Sequence, residues 1–235
     1  MLIDLHAHTS GISTCCHISA PEVVEITKNI EIDGIVLTNH YKKEYVVNGE
    51  IKSFVEAYIK EYHYTKKCAE DIGLKCFFGI ELTMVNYPGV DMLIYGVGED
   101  FLRFYPELYD LSQEELYRIV KKENGILIQA HPFRNGTTVL NADFLDGIEI
   151  NCHPLYNNSY SQEIFNNANK NNLAVTCGGD FHADTYRPKC GMYLPDDIAD
   201  GYELSEYIKN AKKVSLHIHE PNSTISKKID YYREI

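Results

Sequence analysis

Two histidines one residue apart, His6 and His8, close the short apolar run Leu2-Ile3-Asp4-Leu5. If that run is a strand, both imidazoles leave the same face of an extended chain. Two neutral imidazoles on a rigid strand end hold a divalent ion and leave room beside it for a substrate. A polar surface pair has the same spacing, so the rest of the chain decides. Further candidates stand in the same context, each just after an apolar run: His40, Glu81, His131, Asn151 with His153, and Asp180 with His182. Imidazoles and carboxylates together are the donor set of Zn²⁺, Mn²⁺ or Fe²⁺ rather than of a thiolate-rich structural site. Six or more ligands exceed the need of one ion and predict two or three ions sharing carboxylate bridges. A water or hydroxide between such ions is acidified toward neutral pH and attacks phosphorus, so no serine or cysteine nucleophile is needed. The sequence has neither a nucleophile elbow nor a P-loop.

The elements that must position these groups alternate along the chain. Strands are predicted at 2–5, 34–38, 75–80, 92–97, 126–130, 147–150 and 173–177. Helices are predicted from the Ser19 cap to about residue 30, over 51–70, over 112–122 behind the capping-box pair Ser112 and Glu115, and over about 159–170. About seven strand–helix units without a dinucleotide glycine fingerprint predict a single α/β domain over 1–235, a closed or nearly closed parallel barrel. Such a barrel carries its chemistry at the C-terminal ends of its strands, where the candidates fall. Asp91 departs from this rule, because it stands at the start of the fourth predicted strand.

At 235 residues and 44% hydrophobic, the chain can bury an extensive core as one domain. Its net charge of −12, without a Lys/Arg cluster, disfavours long nucleic acid and anionic membrane as partners. A small phosphorylated substrate would be drawn by local positive charge instead. Met1 leads straight into the first strand, no apolar run is long enough to span a bilayer, and seven cysteines lack paired C-x-x-C spacing. These features predict a cytoplasmic protein with reduced thiols. Cys68, Cys76, Cys152 and Cys177 read as core residues, and Cys15 and Cys16 as lining the loop after His8.

The stretches DLHAHT, GIVLTNHY, GIEL, QAHPFR and GGDFH, in this order, resemble the PHP family of polymerase and histidinol phosphatase domains. The resemblance spans nearly the whole chain. It implies a distorted seven-stranded TIM-like barrel whose trinuclear metal centre hydrolyses phosphoesters. Carried over, it makes His6, His8 and Asp180 ligands of one ion, Glu81 a bridge between two, His40 and His182 ligands of a second, and His131 a ligand of the third. Glu81, Asp180 and His182 form the catalytic set it implies. Relatives place a further ligand in the loop after the opening pair, for which His17 is the first candidate and Cys16 the second. Asp91 aligns where many relatives have a histidine, and His153 is the alternative for completing the third site or for contacting substrate.

Arg134, three residues after His131, is the first candidate for holding the substrate phosphate and Arg187 the second, because a guanidinium matches two phosphate oxygens at once. Lys42 and Lys43 read as a solvated pair, His63 as a surface histidine, and 214–219, with His217 and His219, as a surface or edge strand. The leading function is therefore a metal-dependent phosphoesterase acting on a small metabolite or nucleotide, histidinol phosphatase being one specific case. A C–N hydrolase on a similar barrel ranks lower, since no lysine lies at a strand end. A PHP-like binding module without catalysis would lack ligands, and here nearly every ligand position is filled.

Overall fold

In the computed structural model the described residues are 1–153, 161–183, 188–219 and 225–233. Eight strands form the barrel wall: β1 (Leu2–Ala7), β2 (Gly34–Leu37), β3 (His40–Tyr41), β4 (Lys75–Thr83), β5 (Asp91–Tyr95), β6 (Ile126–Gln129), β7 (Gly147–Asn151) and β8 (Ala174–Gly178). β1, β2 and β4 pair in parallel, as do β6, β7 and β8, while β3 extends the parallel run beside the end of β4. The wall nearly closes where β8 returns to β1, through a parallel bridge between Ala7 and Phe181 and the bond from Asp180 N to His6 O at 2.8 Å. Gly178 permits this approach, because a Cβ there would lie 2.3 Å from the Cβ of His6.

Helices α1 (Ala20–Asn29), α2 (Ile51–Asp71), α4 (Gln113–Lys122) and α5 (Ser161–Asn171) fall where the periodicity puts them, with a short α3 (Asp100–Phe104) between. Ser19 and Ser112 both start capping boxes, the carboxylates of Glu22 and Glu115 reaching back to the cap N–H groups at 2.7 and 2.9 Å. Caps of this kind contribute roughly 0.5–2 kcal/mol each. The helices bury their apolar faces against strands whose interiors are almost wholly inaccessible, Ile3, Leu5, Val36, Ile80, Leu93 and Ile128 among them.

The architecture departs from a simple seven-fold strand–helix repeat in two ways. First, β5 runs antiparallel to both β4 and β6. The connection 84–90 is too short for the crossover that parallel strands require. This reversal accounts for Asp91: the start of β5 lies at the same end of the barrel as the finish of β4, with Asp91 paired to Thr83. Second, three antiparallel strands extend the sheet beyond β1: β9 (Gly191–Tyr193), β10 (Lys213–His219) and β11 (Ser226–Tyr232), with α6 (Gly201–Asn210) between β9 and β10. β10 is therefore not an edge strand. It sits between β9 and β11, and its histidines serve packing, His217 against the Tyr193 hydroxyl at 2.9 Å and His219 against Ser226 Oγ at 3.0 Å. Among the described residues no helix is long and apolar enough to cross a membrane.

Candidate metal centre

Three groups of potential ligands meet at the C-terminal end of the parallel strands: His6, His8, Glu81 and Asp180; Glu81, Asp91 and His131; and His8, His40 and His182. In the first, the Nε2 atoms of His6 and His8 lie 3.5 and 3.1 Å from Asp180 Oδ1, and 3.3 and 3.4 Å from the two oxygens of Glu81. In the second, His131 Nε2 lies 3.1 Å from Glu81 Oε1 and 3.7 Å from Asp91 Oδ2. In the third, the Nε2 atoms of His40 and His182 face each other at 3.4 Å, and His40 Nδ1 abuts Glu81 Oε2. His6, His8 and Glu81 are completely buried.

The atoms that face inward are fixed by what holds the atoms facing outward. His6 donates Nδ1–H to Glu149 Oε1 at 2.8 Å, so Nε2 is the nitrogen left to face an ion. The Ser13 hydroxyl donates to Asn39 Oδ1 at 2.9 Å and accepts from His40 N, so His8 Nδ1 donates to it at 3.2 Å and again leaves Nε2 inward. His182 donates Nδ1–H to the carbonyl of Asp180 at 2.8 Å. Asp180 spends Oδ2 on Arg134 Nη1 (2.8 Å) and Asn151 Nδ2 (3.2 Å), which leaves Oδ1 for the histidines. Glu149 also accepts the backbone N–H of His131 at 3.0 Å.

These residues fit divalent cations. Of the buried side-chain polar atoms without a hydrogen bond among the described residues, His6 Nε2, His40 Nδ1 and Glu81 Oε2 all converge here. His40 Nδ1 and Glu81 Oε2 lie against each other and offset one another in part, while an uncompensated buried polar atom such as His6 Nε2 costs about 1–3 kcal/mol, a cost that a bound cation relieves. His131 and Asp180 also hold left-handed backbone, with φ of 28° and 50°. Such non-glycine conformations cost on the order of 1–3 kcal/mol and cluster at functional sites.

The electrostatics push neighbouring groups apart. Burial disfavours charge on His6, but Glu149, Asp180 and Glu81 outweigh it and hold the imidazole well above its ordinary value. His8 goes the other way, lowered by burial and then by His182 and His40. Burial opposes ionisation of Glu81 and Asp180, yet the surrounding histidines keep both well below the usual carboxylate range. Asp91 is raised, by burial and by Glu81. Burial lowers His153 to about 4, so it is neutral.

Several sequence-predicted residues are placed differently. His17 is exposed and joins none of the three groups, and Cys16 is buried with its thiol on the Ile18 carbonyl. The loop turns so that Cys15 lines the cavity, its thiol 3.9 Å from the Tyr45 hydroxyl; burial opposes the thiolate, but His182 and His40 lower the group to about 5. His153 lines the cavity, its ring 5.9 Å from that of His182, without joining a ligand group. Arg134 lines it too, with its guanidinium on Asp180 and Asn151. Arg187 lies outside the described residues. Lys42 is not simply solvated: it is half-buried in the cavity wall, whereas Lys43 pairs with Asp110 at the surface. His63 is an exposed partner of Glu99, and Cys68 is half-buried. Sequence reasoning missed Glu149, although a carboxylate amid the apolar run Gly-Ile-Glu-Ile was a usable signal.

No family model matches the chain, and no curated protein matches it by sequence. Solved structures do match its fold. A two-domain protein from Bacteroides vulgatus containing a predicted PHP-like metal-dependent phosphoesterase superposes with a TM-score of 0.69 at 17% identity, over 93% of this chain and 65% of that one. The chain thus spans about two thirds of that protein's length. A Bifidobacterium adolescentis protein provisionally named a metal-dependent phosphoesterase gives 0.55 at 16% identity, covering 87% of this chain and 94% of that one. PsfC from Pseudomonas syringae also gives 0.55 at 16% identity, covering 95% and 84%. At these identities the likeness is one of fold: the chain shares its fold with solved proteins described as metal-dependent phosphoesterases, one of them as PHP-like.

Proposed function

We propose that this chain is a PHP-family phosphoesterase that hydrolyses a phosphate ester of a small metabolite or nucleotide at a three-ion centre. The observation that supports this best is the position of Glu81. Its Oε1 faces His6 and His131 while its Oε2 faces His8 and His40, so one buried carboxylate touches all three ligand groups. Divalent ions there, Zn²⁺, Mn²⁺ or Fe²⁺, would supply Lewis acidity toward phosphoryl oxygens and an acidified water.

The chain's own residues do the rest. Glu81 and Asp180 stay ionised and offset the cationic charge, Asp180 being held in place by Arg134 and Asn151. His182 sits at the cavity wall with Nε2 inward, where it can hold an ion or a proton beside the reacting group. Arg134 and Lys42 put two cations in the wall of an otherwise acidic protein, which draws a phosphoryl group to this mouth. The cavity measures about 360 Å³, the size of a small ligand rather than of a polymer groove. All seven cysteines are unpaired, which suits a reducing compartment.

The test is hydrolysis of a panel of phosphomonoesters, histidinol phosphate and nucleotides included, by protein loaded with Mn²⁺ or Zn²⁺. Turnover that Asp180→Ala abolishes while the fold persists supports the reading. Full metal loading with no turnover of any phosphoester would instead support a binding module.

A further inference from the structure

Lys42 continues the extended backbone of β3, with φ −124° and ψ 144°, so its side chain leaves the same face as that of His40 two residues earlier. At about 3.3 Å per residue this sets Lys42 roughly 6.6 Å farther along the strand direction, in the wall of the same cavity. Its ammonium is uncommitted there. Among the described residues no carboxylate closes an ion pair with it and no acceptor takes a hydrogen bond from it; what it meets is the Tyr45 ring, with Nζ 5.9 Å from the centroid. Asp91 and Glu81 attract it only from beyond ion-pair reach, and both belong to the ligand groups. Lys43 is the contrast, paired with Asp110 at 2.8 Å on the surface. The other cation of the wall, Arg134, is spent, Nη1 on Asp180 Oδ2 at 2.8 Å and Nη2 on Asn151 Oδ1 at 2.6 Å. The reacting phosphoryl group belongs to the metal centre, which leaves the half-buried Lys42 for another part of the substrate.

We propose that Lys42 binds a second anionic group of the substrate, which makes the substrate class a compact phosphoester whose alcohol part carries a carboxylate or a further phosphate. This rests on the phosphoesterase reading above. The cavity of about 360 Å³ keeps the two anionic groups a few bonds apart. Esters of amino alcohols, histidinol phosphate among them, are disfavoured, because their ammonium would meet Lys42 with like charge. Tyr45 is a positioning residue, its ring face steadying the ammonium.

Non-hydrolysable phosphonates test this without turnover. Calorimetric titration of the metal-loaded full chain compares propylphosphonate, 3-phosphonopropionate and propane-1,3-bisphosphonate, short chains ending in a methyl, a carboxylate or a second phosphonate. At least one of the two doubly anionic compounds should bind about tenfold tighter than propylphosphonate. A lead for 3-phosphonopropionate assigns a carboxylate to the substrate, and a lead for the bisphosphonate assigns a second phosphate. Lys42→Met should abolish the preference, whereas Lys43→Met should keep it, as should Tyr45→Phe, which retains the ring. Turnover of the matching phosphoesters should follow the same order. Equal binding of all three compounds, or a preference that survives Lys42→Met, would overturn the assignment and leave the phosphoesterase standing. No binding of any phosphonate and no turnover of any phosphoester would overturn the phosphoesterase reading and this inference with it.

Discussion

Oε1 of Glu149 lies 2.8 Å from Nδ1 of His6, and the other oxygen of the same carboxylate holds the backbone N–H of His131 at 3.0 Å. One buried acid thereby fixes a ring in one ligand group and the backbone of a residue in another. Outer partners of this kind set the tautomer and raise ligand basicity, and their loss costs about 10–100-fold in metal affinity or activity. Glu149→Leu should weaken zinc binding by that order in chelator competition, while Glu149→Gln, which retains an acceptor, should recover part of it. Unchanged affinity in both variants would mean that the carboxylate serves packing alone.

Asp91 faces His131 across 3.7 Å and is reached by the Thr83 hydroxyl at 2.5 Å. If it completes the Glu81–His131 position, Asp91→Ala should lower the bound metal by one equivalent and leave the remainder. Asp91→His should restore it, since imidazole is an equally good donor. Metal analysis of the two variants decides this, and full occupancy in Asp91→Ala would remove Asp91 from the ligand set.

Burial disfavours the His40 cation, but Glu81 outweighs burial and raises the imidazole to about 10. In the metal-free protein His40 therefore carries a proton at neutral pH, which ligation must expel. Zinc affinity should rise with pH toward 10, about tenfold per unit for each proton displaced. The metal-free fold should respond oppositely: the stability that His40 contributes is complete below its ordinary value of 6.5 and is lost as pH climbs through about 10. Calorimetric zinc titrations in buffers of different ionisation heat read the proton release directly, and a pH-independent affinity without it would contradict this balance.

Lys42, half-buried in the cavity wall near Asp91 and Glu81, is placed to meet substrate charge. Lys42→Met should raise KM for small phosphoesters by about tenfold, roughly 1.4 kcal/mol, with kcat little changed, the signature of binding shared by ground and transition states. A fall in kcat at constant KM would assign it to the reaction itself.

The metal-competent residues were legible because strand ends follow apolar runs and histidines are rare elsewhere in them. His6, His8, His40, Glu81, His131, Asp180 and His182 needed only the strand pattern to be set at one end of a barrel. The reversal of β5 was hidden, since an apolar strand reads alike in both directions; only the short 84–90 connection, with Pro88 and Gly89, signalled it. β9 is three residues long and β11 carries Lys227 and Lys228, so neither has a clear apolar alternation. That Cys15 rather than Cys16 or His17 lines the cavity turned on loop backbone, which spacing does not encode.

The most direct measurement is metal content, by elemental analysis, of the purified chain and of Glu81→Ala after identical loading, with circular dichroism confirming the fold of both. A Glu81 that joins all three groups predicts two to three equivalents in the wild type, a loss of at least one in the variant, and loss of aryl phosphate hydrolysis. One equivalent or none in the wild type, or full occupancy in Glu81→Ala, would contradict a centre built around this carboxylate.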